Sequence, residues 1–403
     1  MKKLFLQLLA YLYAMASETL AEKQELSLPS MPELVLQNNY PAEVHKVTTT
    51  DGYILTMHRI PYSPKSYDND TSKPVVFLQH GLLSSSVDWV MLGPEKSLAY
   101  LLADEGYDVW MGNARGNMFS TNHTSLNPTN PSFWSFSWHE MGVYDLPAEI
   151  DYILETTGQT SISYVGHSMG TTMFFVLASS KLEYNAKISH VVALAPVAFL
   201  KHTKSPFASI SRHLPKGVRN VIFDMVLNWP FFPNREFSNG LLKKFCKKGS
   251  MMQEMCTNTL FQIGGFNSEQ LNQVSTMLPT ILHYFPAGSS IKAWRHYGQL
   301  IDSGKFRKYD YELANLYKYG SMKPPKYNLK SINTWVSLIA GPNDWLATPE
   351  DVVLLQDELP NCEYYQVSLP KFNHFDFMWA TDVKTLVNDN VISLLNDEDY
   401  YIE

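Results

Sequence analysis

The stretch Tyr164-Val165-Gly166-His167-Ser168-Met169-Gly170-Thr171-Thr172 constrains this chain more than any other. An apolar β-type run leads into it and a helix-like pattern leaves it, so a serine bracketed by Gly166 and Gly170 stands at a strand-to-helix turn. Glycine is needed on both sides because a Cβ at either position would clash in so tight a turn. The serine is then held in a strained conformation at a helix N-terminus, whose dipole and free N–H groups favour a developing negative charge. The pentapeptide alone is a weak signal; its strand-turn-helix setting makes it a strong one.

The surrounding chain supplies a sheet for that turn. Glu43 to Pro61 alternates around Asp51-Gly52, a hairpin signal. Apolar β-type runs follow at residues 74–79, 108–111, 162–165, 190–194, 334–339 and 364–368. Near-continuous apolar strands indicate a parallel sheet buried on both faces. Helical spacing recurs between them at 146–157 and 172–182 and again at 383–395, so the expected class is α/β with helices on both faces. The alternation fails between Ala198 and Pro325, a stretch rich in Met, Phe, Trp, Tyr, Lys and Pro without clean strands. We read four parts: a leader at 1–16, a first core part at 17–197, a mostly helical insertion at 198–325 and a second core part at 326–403.

The leader reads as a secretory signal. Lys2-Lys3 precedes an apolar run from Leu4 to Leu12 and the small-residue site Ala14-Met15-Ala16. The run is too short to span a bilayer, which needs roughly 20 apolar residues, and no later segment is long and apolar enough. A secreted or lumenal protein, extracellular or lysosomal, is expected. Asn69 and Asn122 begin glycosylation sequons, each with Thr two residues on. Cys246 and Cys256 lie close together and suit a bridge in an oxidising lumen, with Cys362 left over. Net charge is −7, and −9 once Lys2 and Lys3 leave, which argues against nucleic acid as a partner.

A serine hydroxyl becomes nucleophilic only when a positioned base takes its proton, so Ser168 requires a histidine and an acid to orient it. On this scaffold they follow in the order serine, acid, histidine. Asp344 in Gly341-Pro342-Asn343-Asp344 follows one β run, and His374 in Asn373-His374-Phe375-Asp376 follows another. Asp376 is the rival acid; two residues from His374, it suits holding the histidine loop. His167 adjoins the nucleophile and is read as packed. His80-Gly81-Leu82-Leu83 resembles a loop that supplies an oxyanion donor, so the expected donors are the backbone N–H groups of Leu82 and Met169. No metal or organic cofactor is needed.

On these motifs, together with Gly106 to Asn113, Arg115-Gly116-Asn117, Tyr144 to Ala148, Leu194 to Ala198 and Pro286-Ala287-Gly288, the chain resembles the acid lipase family, which includes gastric, lysosomal and insect lipases. The resemblance runs through nearly the whole chain after the leader. It implies an α/β-hydrolase fold with a mostly parallel sheet, a helical cap and lid over the serine, and hydrolysis of triacylglycerols or cholesteryl esters through Ser168, His374 and Asp344. It also implies a Cys246–Cys256 bridge. Met169 departs from the glutamine of vertebrate members, but only its backbone N–H is required. Trp229 to Pro233 with Met251, Met252 and Met255 would line an acyl pocket, and Lys243, Lys244, Lys247 and Lys248 its rim at a lipid–water interface; ordinary cap core is the plainer alternative. An esterase or acyltransferase on smaller esters, and a non-catalytic lipid-binding protein, are the competing functions. Oligomeric state is not legible.

Overall fold

A computed structural model describes residues 29–65, 73–206, 230–231, 263–265, 267 and 271–397. Eight strands form the main sheet: β1 (Glu43–Thr48), β2 (Tyr53–Ile60), β3 (Val75–Gln79), β4 (Asp108–Met111), β5 (Ile162–His167), β6 (Ile188–Leu194), β7 (Trp335–Ala340) and β8 (Cys362–Gln366). Their spatial order is β1-β2-β4-β3-β5-β6-β7-β8. The hairpin turns where Asp51-Gly52 demands it, and β2 is antiparallel to both β1 and β4. From β4 to β8 every neighbouring pair is parallel. The two-residue strand Asn122–His123 adds to β2.

Burial accounts for the choice of residues. Every residue of β3, β4 and β5 is buried, so both faces of the central strands must be apolar or internally bonded. The cover comes from helices such as α1 (Leu98–Asp104), α2 (Leu146–Thr157) and α3 (Met169–Ser180). Phe77, Trp110, Tyr164, Phe174 and Phe175 are the large side chains sealed between them. Helix α2 begins with a proline in its first turn and ends at Gly158, whose φ of 70° gives the left-handed cap that an L side chain avoids.

Several expected spans move, with β5 running on to His167 and β6 beginning at Ile188. Helix α3 starts at Met169, immediately after the serine, because the turn needs no further residues. The last strand lies two residues earlier than expected, at Cys362–Gln366. The C-terminal span is a π-turn, Lys384–Asn388, continued by α6 (Asp389–Asn396).

Between β6 and β7, the described residues include α4 (Leu271–Tyr284) and α5 (Ile291–Ser303). Pro230–Phe231 pairs antiparallel with Ser289–Ser290, a short ladder in a stretch expected to lack strands. Helix α5 is capped by Ser290, whose hydroxyl accepts from Ala293 N–H, and closes at Gly304 with φ 60°. It docks on the core through His296, stacked on Trp138 at 3.5 Å, and through Tyr297, whose hydroxyl donates to Thr172 Oγ1 at 3.1 Å. No helix of the described residues is long and apolar enough to cross a membrane. The leader, Asn69, Cys246, Cys256, Trp229, the cap methionines and the four cap lysines lie outside the described residues.

Candidate active site

Ser168 has φ 52° and ψ −113°, a conformation that a residue with a Cβ adopts only under constraint. The constraint is packing against backbone. A Cβ on Gly170 would stand 2.3 Å from Gln79 O, and one on Gly166 would stand 2.9 Å from Gly170 C and Thr171 N. Both elbow glycines are therefore required by contact. Ser168 N–H donates to Leu194 O at 3.0 Å, which ties the turn to the end of β6.

His374 brings the three side chains into one line. Its Nε2 lies 2.8 Å from Ser168 Oγ, and its Nδ1 lies 2.8 Å from Asp344 Oδ2. Asp344 Oδ1 accepts from Leu346 N–H and Ala347 N–H, each at 2.8 Å, so the carboxylate is oriented by its own turn. Asp344 is 1% exposed and His374 3%, and in such dry surroundings these charge-assisted contacts are strong. Asp344 rather than Asp376 reaches the imidazole. Asp376 Oδ2 instead accepts from Asn373 N–H at 2.9 Å, while Asn373 Oδ1 accepts from Phe375 N–H and Asp376 N–H, a reciprocal box around His374.

The other two histidines near the serine are structural. His167 is buried, with Nε2 3.1 Å from His374 O, and burial holds its pKa well below the ordinary value. His80 donates from Nδ1 to Gly81 O at 2.7 Å and accepts at Nε2 from Ala114 N–H at 3.1 Å; burial lowers its pKa to about 4. That neutral ring locks the following loop. A Cβ on Gly81 would lie 3.2 Å from Ser168 Cβ, so the loop passes directly over the nucleophile. Leu83 takes φ 63°, and its carbonyl accepts from Ala287 N–H. Among the described residues no acceptor engages the backbone N–H of Leu82 or of Met169, which is the condition an oxyanion site requires.

In the sequence Arg115 stands out only as part of the motif Arg115-Gly116-Asn117. It is fully buried, with its two Nη atoms 2.6 and 2.9 Å from the Asp51 carboxylate and its Nε 2.6 Å from Asp145 Oδ1. Its guanidinium also sits 4.0 Å from the centre of the Tyr53 ring. This clamp joins the β1–β2 hairpin to the loop after β4, on which the Asn113 and Asn117 side chains brace the Leu82 loop. Among the described residues no cluster of His, Cys, Asp and Glu could hold a metal ion.

A nucleophile elbow on a mostly parallel sheet, with acid and base on the loops after β7 and β8, defines a serine hydrolase architecture. The model of the α/β-hydrolase fold matches residues 74–381, and that of a partial α/β-hydrolase lipase region matches residues 31–93. The chain is 46% identical to Lipase 3 of Drosophila melanogaster, over 89% of this chain and 91% of that protein. It is 40% identical to human gastric triacylglycerol lipase, over 92% of this chain and 91% of that protein. An α/β-hydrolase-fold protein from Nakamurella multipartita shares the fold at TM-score 0.51 and 14% identity, covering 88% of this chain and 99% of that one. The chain belongs to the lipases of the α/β-hydrolase fold and is a carboxylic ester hydrolase.

Proposed function

We propose that this lipase cleaves triacylglycerols, and cholesteryl esters where the pocket admits them, through a covalent acyl-serine. The observation that carries the reading is the unbroken line from Asp344 through His374 to Ser168, with both contacts at 2.8 Å. The Ser168 hydroxyl gives its proton to His374 Nε2 as Oγ bonds to the ester carbonyl carbon. Asp344 accepts from Nδ1–H and stabilises the imidazolium. The carbonyl oxygen, now anionic, takes hydrogen bonds from Leu82 and Met169 N–H. Collapse breaks the bond to the alcohol, which leaves with the proton from Nε2. Water then repeats the sequence on the acyl-serine and releases the fatty acid.

The remaining assignments follow from the sequence features. The sequence assigns residues 198–325 to a cap, with its Trp229 to Pro233 stretch and methionines as candidates for an acyl pocket or for ordinary cap core; most of that stretch lies outside the described residues. Cleavage after Ala16 sends the protein to a lumen or outside the cell, where Cys246 and Cys256 bridge and Asn69 and Asn122 carry glycans. Asn122 and Thr124 are both exposed, which supports that use. Hydrolysis of an emulsified long-chain triacylglycerol and of a soluble short-chain ester, from pH 4 to 8, tests the reading against Ser168→Ala. Long-chain activity that falls at least about a thousandfold in the variant is the expected result. Activity on the short ester alone would make the protein an esterase, and none on either would leave a lipid-binding protein.

A further inference from the structure

Asp344 and His374 stand on separate loops, and neither loop lies in the elbow. Their shared neighbour is a stretch from between β6 and β7, carrying Gly264, Gly265 and Asn267. The Gly264 carbonyl accepts from Trp345 N–H at 3.1 Å and from His374 N–H at 3.3 Å. One oxygen thus binds the residue after the catalytic acid and the catalytic base itself. Space there is confined. A Cβ on Gly264 would stand 2.7 Å from the Phe375 ring and 3.1 Å from His374 Cβ. Gly265 has φ 121°, and a Cβ on it would stand 2.2 Å from Asn343 O and 2.8 Å from Asn373 Cβ. The paired glycines are therefore what lets this backbone pass between the two loops.

Asn267 completes the contact. It is fully buried, and its Nδ2 donates to Asp376 Oδ2 at 2.8 Å. That same oxygen accepts from Asn373 N–H, in the box that encloses His374. Among the described residues Asp376 faces no cation, and Asp376 Oδ1 has no hydrogen-bond partner. Burial pushes its carboxyl up to about 7, with the Asp344 charge adding in the same direction. Its two contacts are thus neutral donors, and what they specify is geometry.

We propose that Gly264, Gly265 and Asn267 act as a strap that positions the base and acid, with Asn267 a positioning residue working through Asp376. The chain between β6 and β7 then does more than cover the serine: it completes the registration of His374 on Ser168. Turnover depends steeply on such registration, since a displacement of about 1 Å at a reacting group costs on the order of a hundredfold. The proposal rests on the Ser168, His374, Asp344 reading, so Ser168→Ala is measured alongside.

Steady-state kinetics on a soluble short-chain ester, with thermal unfolding of each variant, provide the test. Asn267→Ala and Asp376→Ala should each lower kcat about tenfold to a hundredfold with KM little changed. The double variant should lose no more than the worse single, because both act through one contact. Asp376→Asn keeps an oxygen for both donors and should recover most of the loss. If Asn267→Ala does not fold, Asn267→Asp at pH 8 keeps the shape, removes the donor and must show the same fall in kcat. Near-wild-type kcat in either Asn267 variant, multiplicative losses, or a change in KM alone would overturn the strap while Ser168→Ala stays inactive. Activity surviving in Ser168→Ala would instead remove the triad reading beneath it.

Discussion

Ser168 is fixed by backbone packing of one strand-turn-helix unit against the ends of β3 and β6, whereas Asp344 and His374 stand 30 residues apart on loops that hold each other in place. At the elbow the determinants are two glycines and a φ of 52°, all within five residues. At the loops they are hydrogen bonds between distant segments: Asn343 N–H to Phe372 O at 2.9 Å, and the Gly264 carbonyl shared by Trp345 and His374. An elbow of this kind tolerates no added atom, and its outside partners, Gln79 O and Leu194 O, are backbone of the neighbouring strands. The loops accept small changes of shape yet depend on several segments arriving together. Damage to the elbow should therefore remove fold and activity together, and damage to the loops should separate them.

The largest effect should come from the loop side. Asp344→Asn keeps an oxygen for Leu346 and Ala347 N–H but no longer favours the Nδ1–H tautomer of His374. We expect kcat to fall about 10³- to 10⁴-fold with the unfolding temperature nearly unchanged. A parallel collapse in stability would erase the distinction between the two regions. On the elbow side, Gly170→Ala forces a methyl onto the Gln79 carbonyl 2.3 Å away. A loss of about 3 kcal/mol in urea unfolding, together with most activity, is expected; a stable but inactive variant would show the elbow to be as separable as the loops.

Asp88 sharpens the comparison from behind the histidine loop, where Trp379 Nε1 donates to Asp88 Oδ1 at 3.4 Å and the Ser84 hydroxyl to Oδ2. Burial raises its carboxyl from 3.8 to about 6. A raised carboxylate pKa means that the folded chain holds a proton the unfolded chain has released. Its contribution to stability is thus greatest below about pH 4 and declines as pH rises to about 6, at up to ~1.4 kcal/mol per pH unit. Asp88→Asn, always neutral, should match the native chain at pH 4 and exceed it by about 1–3 kcal/mol at pH 7. Equal stability at both values would place the native carboxyl at its ordinary pKa. The smallest effect belongs to Asn122→Gln on the exposed strand beside β2. On the proposed glycosylation, it should reduce the mass of the protein expressed through a secretory route by one glycan, seen on a gel, and leave activity within about twofold.

Legibility in the sequence follows the same division. The elbow could be read because its requirements are local: a β run, two glycines and a helix adjacent in the chain. The sheet could be read for a related reason, since strands buried on both faces must be apolar along their length, as β3 to β5 are. The positions of Asp344 and His374 came from chain order and the ends of two β runs, which places them on loops but does not say which acid reaches the ring. Asp344 and Asp376 are both buried aspartates near His374, and only the folded distances separate the orienting acid from the one that braces the loop.

The roles with no local signal in the sequence belong to residues whose partners are remote. Arg115 is separated from Asp51 by 64 residues and Asn267 from Asp376 by 109, and no periodicity relates such pairs. Gly264-Gly265 was the one visible trace of the strap, two adjacent glycines in a stretch of bulky side chains. By itself the sequence determined the class of fold and marked the candidate nucleophile and the order of its partners, because a strand-turn-helix motif and continuous apolar runs are written in neighbouring residues. Only the tertiary structure decided how the acid and base are registered on the serine. That registration depends on contacts between segments whose meeting is set by the packing of the whole chain.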